Sequence, residues 1–166
     1  ILSGDLVQNG SFSQIGAEEV SNGSFSEQGA EQITNGSFDT DSDWVKGTGW
    51  SISGGNANCD GTQTSNSSLS QNSALPNASG KTYKISFTIS NYISGGVQVY
   101  PTNTTVGTYI KETANGTYTR YVKVTSLTPN DILYIQADSN FIGSIDNVSV
   151  KEVGQDWDLG TGWSIG

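Results

Sequence analysis

The chain has 166 residues, enough for one β-sandwich of about 100 residues and some further sequence. It carries 7 Lys and Arg against 16 Asp and Glu, and this net charge of -9 argues against binding to nucleic acid or to an anionic membrane surface. There is no His, only one Cys, and no apolar run of the roughly 20 residues that a spanning helix needs, so we expect neither an intrachain disulfide nor membrane insertion.

The chain begins with a short tandem repeat. Asn-Gly-Ser-Phe occurs at 9–12, 22–25 and 35–38, with the same interval between successive copies. Asn-Gly between short segments indicates a type I′ hairpin turn, because both turn residues then need positive φ. Each copy has too few apolar side chains to bury a core by itself. We therefore expect residues 1–32 to form a short β-repeat segment, a stem or connector that packs on a neighbouring domain or on sister chains, with a flexible linker as the alternative.

A series of short strands is predicted from residue 33 onward. Tyr83, Ile85, Phe87 and Ile89 alternate with polar residues, which is the period of a half-buried strand. The same alternation recurs at 97–99, 120–124, 132–135 and 145–150. Weaker strands are expected around Ile52, Leu69 and Leu75. The strand spacing and the Gly and Asn turns predict an all-β fold, an antiparallel jelly-roll β-sandwich over residues 33–153.

A long repeat relates the beginning of this sandwich to the end of the chain. Residues 43–52 contain Asp-Trp and Thr-Gly-Trp-Ser-Ile, and both motifs recur in the same order at 156–165. We therefore expect residues 154–166 to begin a following repeat unit. Trp44 and Trp50 recur with their spacing, which favours a packing role for both side chains.

The residues offer little for catalysis. There is no His to act as a base, Cys59 has no partner Cys, and the carboxylates Asp39, Asp41 and Asp43 cluster in one loop, as solvated turn residues do. We therefore predict that the protein is not an enzyme and that Cys59 is a buried or tolerated thiol.

Several Tyr and Gln residues suit sugar recognition, which combines aromatic platforms with amide hydrogen-bond partners. The glycan-binding candidates, at turns or on outward strand positions, are Tyr92, Tyr100, Tyr109 and Gln98, with Asn91, Tyr118, Tyr134 and Gln136 nearby. Tyr is also common in strands for its intrinsic preference. An ordinary β-surface or a subunit contact is therefore the alternative interpretation of these residues.

Four motifs stand in order along the predicted sandwich: Asn-Gly-Ser-Phe-Asp at 35–39, Asp-Trp and Gly-Trp at 43–50, Lys-Thr-Tyr-Lys-Ile-Ser-Phe at 81–87 and Ile-Asp-Asn-Val-Ser-Val at 145–150. In these motifs the chain resembles the carbohydrate-binding-module-like jelly rolls, relatives of the galactose-binding-domain fold. The last motif, which continues as Ile-Asp-Asn-Val-Ser-Val-Lys-Glu-Val at 145–153, and the Thr-Gly-Trp-Ser-Ile repeat are similar to those of virion structural proteins of tailed phages. The resemblance covers residues 33–153 and implies the fold more strongly than any ligand, because this fold hosts many functions.

The resemblance also implies a metal site. Many modules of this kind hold a structural Ca²⁺ between the opening segment and the last strand, which here points to Asp39 and Asp146. Asp146 has the strand parity of Val148 and Val150, so we expect it to face inward, where a bare carboxylate is costly. Asp39 stands where the family commonly has Glu, which shortens the reach. The alternative is an Asp146 carboxylate that accepts hydrogen bonds from backbone N–H groups.

The leading hypothesis is a non-enzymatic structural repeat domain of a virion fibre, tail or capsid appendage that is able to bind host surface glycans. The expected partners are further copies of the chain, other virion proteins and a cell-surface polysaccharide. The expected location is the virion or the extracellular space. One alternative is a carbohydrate-binding module of a secreted enzyme, and another is a bacterial surface adhesin or filament subunit.

Overall fold

The computed structural model describes residues 27–76, 78–102, 110–125 and 132–154. Within these ranges the chain forms strands and no α-helix, which confirms the all-β prediction. The strands are β1 (Gln28–Glu31), β2 (Val45–Lys46), β3 (Trp50–Ser53), β4 (Asn56–Asp60), β5 (Ser67–Gln71), β6 (Thr82–Ser94), β7 (Val97–Pro101), β8 (Gly116–Lys123), β9 (Leu133–Ala137) and β10 (Ile142–Val153). Accordingly, no helix in the described part could span a bilayer.

The strands form two antiparallel sheets that face each other as a sandwich. The larger sheet has the order β3-β4-β10-β6-β8, and β1 also pairs with β10. The smaller sheet has the order β2-β5-β9-β7. This arrangement confirms the predicted antiparallel sandwich. The predictions for residues 1–26 and 155–166, including two of the short-repeat copies and the following unit, lie outside the described residues.

A short strand at the end of the predicted repeat segment pairs with the larger sheet. β1 covers Gln28–Glu31, ahead of the predicted boundary at residue 33, and Glu31 is in register with Lys151 of β10. The end of the repeat segment therefore contributes a strand to the larger sheet.

The core lies between the two sheets and follows the alternation of the strands. In β6, the residues Tyr83, Ile85, Phe87 and Ile89 are buried while their neighbours are half-buried. The smaller sheet contributes fully buried side chains from three strands, namely Leu69, Val97, Leu133 and Ile135. Each such side chain contributes about 1.5–3 kcal/mol through removal from water. Leu75 is buried as well, but it lies in a bend and not in the strand predicted around it.

The two tryptophans of the long repeat have the packing role expected from the sequence. Trp44 is buried against Phe38 with ring centroids 5.2 Å apart, and its indole N–H donates to the Asn35 carbonyl at 3.1 Å. Trp50 lies 6.3 Å from Phe141, and its indole N–H donates to the Ser67 carbonyl at 3.3 Å. Each indole thus fills the core and satisfies its polar atom at the sandwich edge.

A β-bulge in β10 changes which side chains face the core. Asp146 is in register with Thr88 and Ser149 with Ser86, so β10 has one extra residue here, and Asn147 takes the left-handed conformation with φ 52°. Strand parity is interrupted at this point. Ile145 and Val148 are both buried, whereas Asp146 is half-buried. The prediction that Asp146 shares the inward face of Val148 and Val150 is therefore wrong.

The repeat copy at 35–38 does not form the expected type I′ turn. Asn35 has φ 52°, but Gly36 has no positive φ, and the Phe38 N–H donates to the Asn35 carbonyl at 3.2 Å around Gly36 and Ser37. A Cβ on Gly36 would lie 2.0 Å from the carbonyl oxygen of Val148. Glycine is required at this position for close approach to β10, and not for turn geometry.

Candidate functional site

The outward face of the smaller sheet carries a group of partly exposed polar and aromatic side chains. In β5, β7 and β9 every second residue is buried and the residues between are half-buried. The half-buried residues are Ser68, Ser70, Gln98, Tyr100, Tyr134 and Gln136. Alternation in a strand places this second set on the face away from the core. We call these six residues, together with Val45 and Asn66, the tyrosine–glutamine face.

An aromatic row crosses this face. The register places Tyr100 opposite Tyr134, Tyr134 opposite Ser70, and Ser70 opposite Val45. The two tyrosine rings have centroids 5.6 Å apart and an interplanar angle of 34°. Val45, at the other end of the row, is 57% exposed. The row therefore presents two tyrosine rings, a serine hydroxyl and a valine side chain along the outside of the sheet.

An amide row runs beside the aromatic row. Gln98 is opposite Gln136, and Gln136 is opposite Ser68. The Gln98 side-chain amide donates to Gln136 Oε1 at 2.9 Å, and the Asn66 amide approaches the same oxygen at 3.5 Å. These contacts orient both glutamines, because Gln98 donates a hydrogen bond and Gln136 accepts it, and each amide then loses rotational freedom. On both β7 and β9 the amide lies two residues along the strand from the tyrosine, on the same face of the sheet.

The side chains that make up this face carry no formal charge. They are amides, hydroxyls, phenols and one valine, in a chain whose net charge is -9. The nearest cation along β2 is Lys46, which is in register with Leu69 of the inward set and pairs with Asp41. The face is therefore suited to neutral polar ligands, while the whole chain repels anionic ones.

The structure separates the predicted glycan-binding residues. Tyr100 and Gln98 lie together on the face, and Tyr134 and Gln136 complete it. Tyr92 lies on β6 in the other sheet, 6.4 Å from the Phe141 ring, and its hydroxyl donates to the Gly95 carbonyl at 3.0 Å. Its contacts hold the β6–β7 hairpin. Tyr109 lies outside the described residues.

Two further residues considered for sugar binding have structural contacts. The Tyr118 ring stacks on Phe87 at 5.5 Å, and its hydroxyl donates to the Ala114 carbonyl at 2.9 Å. Asn91 donates to Ser144 Oγ at 3.2 Å, beside a shallow cleft of about 210 Å³ on the larger sheet. In that cleft Ser144 in turn donates to Asn58 at 2.8 Å, so the polar groups satisfy one another.

The predicted calcium ligands make local hydrogen bonds. Asp39 accepts from the Ser37 hydroxyl at 2.6 Å, and Asp146 accepts from the backbone N–H of Asn147 at 2.6 Å and from its side-chain amide at 2.9 Å. Among the residues that the structure describes, no group of three or more His, Cys, Asp or Glu side chains is arranged to hold a metal. Calcium also binds backbone carbonyls, so the site at Asp39 and Asp146 stays a prediction.

Cys59 is a buried thiol, which is one of the two environments expected for it from the sequence. Its Sγ donates to Gln63 Oε1 at 3.4 Å, and burial raises the pKa of the thiol. A thiol held in its neutral form is a poor nucleophile. This environment gives Cys59 a packing role.

The sequence pattern indicates part of the tyrosine–glutamine face and misses the rest. Val45, Asn66, Ser68 and Ser70 are not among the predicted candidates, although Ser68 and Ser70 alternate with the buried Leu69. That alternation is visible in the sequence. The register that sets Ser70 beside Tyr134 is not, because it joins strands that are far apart in the chain.

Comparison with known proteins finds similarity in solved structures only. No family model matches the chain, and no curated protein does. Among solved structures, the chain is similar to the carbohydrate-binding module TmCBM27, which was studied for specific mannan recognition. The two share 14% sequence identity with a TM-score of 0.41, over 76% of this chain and 97% of the module.

Proposed function

We propose that this chain is a non-catalytic module that binds neutral polysaccharides through its tyrosine–glutamine face. The observation that carries the proposal is the Tyr100–Tyr134 ring pair at 5.6 Å beside the Gln98–Gln136 amide pair at 2.9 Å. An aromatic surface beside oriented amides provides the two kinds of contact that a sugar ring requires. Its C–H face lies on the rings, and its hydroxyls exchange hydrogen bonds with the amides.

The absence of formal charge on the face defines the ligand class. A uronate or sialate carboxylate would find no cation among the side chains of the face, and it would approach a chain of net charge -9. Neutral hydroxyls have suitable partners in the amides and in the serines. The proposed ligands are therefore neutral glycans, in preference to acidic ones.

Affinity gel electrophoresis tests this proposal. The native chain is run in gels that contain neutral polysaccharides (mannan, xylan, glucan) or acidic ones (polygalacturonate, alginate). We expect retardation on at least one neutral polymer and none on the acidic polymers. Tyr100→Ala and Tyr134→Ala should each weaken binding by on the order of tenfold or more, since each removes an aromatic contact.

Tyr121→Ala is the matched control. Tyr121 is 40% exposed and lies on β8 of the other sheet, so its removal deletes the same side chain away from the proposed site. Its binding should equal that of the native chain. Migration unaffected by every polysaccharide, or equal losses in Tyr121→Ala and Tyr134→Ala, would contradict the proposal. Thermal melts of each variant separate lost binding from lost folding.

A second proposal concerns the setting of the module. The short and long repeats favour a serial repeat domain in a virion fibre, tail or appendage, found on the virion or outside the cell and associated with further copies of itself. Electron microscopy of the parent protein should then reveal a fibre with an axial period of one sandwich. Isolated globular particles, or a parent gene that encodes a glycoside hydrolase or a surface adhesin, would favour the alternatives.

A further inference from the structure

The repeat copy at residues 31–38, here called the edge segment, is attached to β10 by backbone pairing. The Gln32 N–H donates to the Val150 carbonyl at 2.9 Å, and the Val148 N–H donates to the Gly36 carbonyl at 2.9 Å. Between these bonds, the Val150 N–H donates to the Glu31 carboxylate at 2.7 Å. The edge segment thus satisfies the backbone of β10 across the bulge at Asn147.

The edge segment is also fixed by core side chains and by a buried amide. Ile33 and Phe38 are both buried in the sandwich. The buried Gln71 side chain accepts from the Thr34 N–H at 3.0 Å and donates to the Thr34 carbonyl at 2.8 Å. These contacts require an aliphatic residue at position 33 and an aromatic one at 38, but at 34 they use backbone atoms only.

Residues 18–25, here called the upstream copy, contain each side chain that this attachment uses. The residues one short repeat before Glu31, Ile33, Gly36 and Phe38 are Glu18, Val20, Gly23 and Phe25. Gly-Ala precedes both glutamates, and Asn precedes both glycines. Ser21 stands at the position of Thr34, where Gln71 contacts only backbone atoms. The copy at 5–12 matches less closely, because it has Asp5 in place of the glutamate.

The backbone groups of β10 that pair with the edge segment can bind only one repeat copy at a time. The Val148 N–H and the Val150 N–H and carbonyl are already bonded to the edge segment, so the upstream copy binds only when the edge segment leaves. A Cβ at position 36 would lie 2.0 Å from the Val148 carbonyl oxygen, so any copy that binds there needs glycine at this position. Replacement would lengthen the connection to Trp44 by one short repeat. The entropy of closing a loop grows only with the logarithm of its length, so the longer connection opposes this exchange weakly.

We propose that the β10 edge is a strand-exchange site, in which the upstream copy of the same chain can replace the edge segment. The exchange retains the acidic, aliphatic, glycine and aromatic contacts and shifts the docked strand by one repeat. It would change the length of chain that precedes the sandwich in steps of one short repeat. In a serial array, this provides an adjustable spacer between domains.

Valine substitutions of the repeat glycines in the full chain test the exchange. Each valine prevents one copy from approaching β10 closely. Gly36→Val excludes the edge segment, Gly23→Val excludes the upstream copy, and Gly10→Val excludes the copy at 5–12. We expect Gly23→Val alone to leave Tm unchanged, which makes it the matched control. The triple variant should have a Tm lower than that of the native chain by on the order of 10 °C. The decrease in Tm for Gly36→Val alone should be less than half of that. The Gly23→Val/Gly36→Val double variant should approach the triple one.

Limited proteolysis identifies the docked copy directly. In Gly36→Val, cleavage by a Glu-specific protease should rise after Glu31 and fall after Glu18, relative to the native chain, because the two copies have changed places. Mass spectrometry reads both sites in one digest. A Tm for Gly36→Val as low as that of the triple variant, or an unchanged cleavage pattern, would overturn the proposal.

The oligomeric state of Gly36→Val in solution shows whether the docked copy comes from the same molecule or from a second one. Intrachain exchange predicts a monomer whose Tm does not depend on protein concentration. A dimer with a concentration-dependent Tm would assign the upstream copy to a second molecule and would overturn the intrachain exchange.

Discussion

Gln63 connects distant parts of the sandwich through one buried side chain. Its amide donates to the Asp138 carbonyl at 3.0 Å and to the Phe141 carbonyl at 2.8 Å, and its Oε1 accepts from Cys59. The residue is surrounded by polar positions in the sequence, and nothing in the pattern there marks it as buried. Its role follows from chain segments that are distant in the sequence.

Gln63→Met tests this connection, because Met has nearly the same size and makes no comparable hydrogen bonds. We expect the free energy of unfolding to fall by about 1–3 kcal/mol, since the buried Phe141 carbonyl loses a donor and the part-buried Asp138 carbonyl keeps only the Phe141 N–H. Gln28→Met, at an exposed position of β1, is the control and should change stability by less than about 0.5 kcal/mol. Urea unfolding measures both, and equal stabilities of the two variants would contradict this role.

We expect the Asp138 carboxyl to make the stability of the fold depend on pH. Burial raises the pKa of its carboxyl, but hydrogen bonds from the Asn140 N–H, Lys111 and the Gly96 N–H outweigh burial and leave the pKa below its usual value. A carboxyl whose pKa is lower in the folded state contributes stability above its unfolded pKa of about 3.9. That contribution is lost as the pH falls through the folded pKa.

The expected result is that Asp138→Asn is less stable than the native chain at pH 6, and that the difference shrinks as the pH falls below about 4. Urea unfolding between these pH values measures it. In a Lys111→Gln background the pH-dependent part of the difference should be smaller, because the 3.1 Å ion pair is absent. A difference that is constant with pH would show that the Asp138 carboxylate is not the titrating group.

At the scale of strands and turns, the β6–β7 hairpin shows how sheet packing restricts a turn. Gly95 has φ +73°, and a Cβ on it would lie 2.2 Å from the Phe141 backbone nitrogen. The turn is therefore packed against the segment that precedes β10. Gly54, in the turn between β3 and β4, has φ +62° but nothing within 4 Å of the same position.

Comparing Gly95→Ala with Gly54→Ala separates backbone strain from packing. Both substitutions add a Cβ at positive φ, which costs about 1 kcal/mol. Gly95→Ala also forces the turn away from Phe141, and we expect a further loss of about 1–3 kcal/mol. Chemical denaturation of the two variants measures the difference. Equal losses would mean that the hairpin moves freely relative to Phe141.

Strand alternation also explains what was predictable at this scale. The buried residues of β6 follow from its uninterrupted period of two, because a half-buried strand needs nothing more. The side of the sheet on which Asp146 lies could not be predicted in this way. A bulge depends on how two strands align, and the alternation of residues in either strand alone does not indicate it. Asn147, with its left-handed conformation, is compatible with a bulge but does not require one.

At the scale of the whole molecule, the calcium prediction concerns the link between the opening segment and the last strand. If Ca²⁺ joins Asp39 to Asp146, EDTA should lower Tm, because an ion that binds only the folded state stabilises it by mass action. Asp39→Asn should then lower Tm and abolish the effect of EDTA. Asp41→Asn is the control, since Asp41 pairs with Lys46 instead. A melting curve unchanged by EDTA would contradict the calcium site.

The sequence by itself determined the all-β class, most of the long strands, the packing role of Trp44 and Trp50, and a set of tyrosines and glutamines from which a surface could be built. These features depend on local periodicity and on residue type. Only the tertiary structure decided that Tyr100 and Gln98 share a face with Tyr134 and Gln136 while Tyr92 supports a hairpin. The physical reason is that faces and registers arise from hydrogen bonds between strands far apart in the chain, and a one-residue bulge reverses the side on which a residue lies.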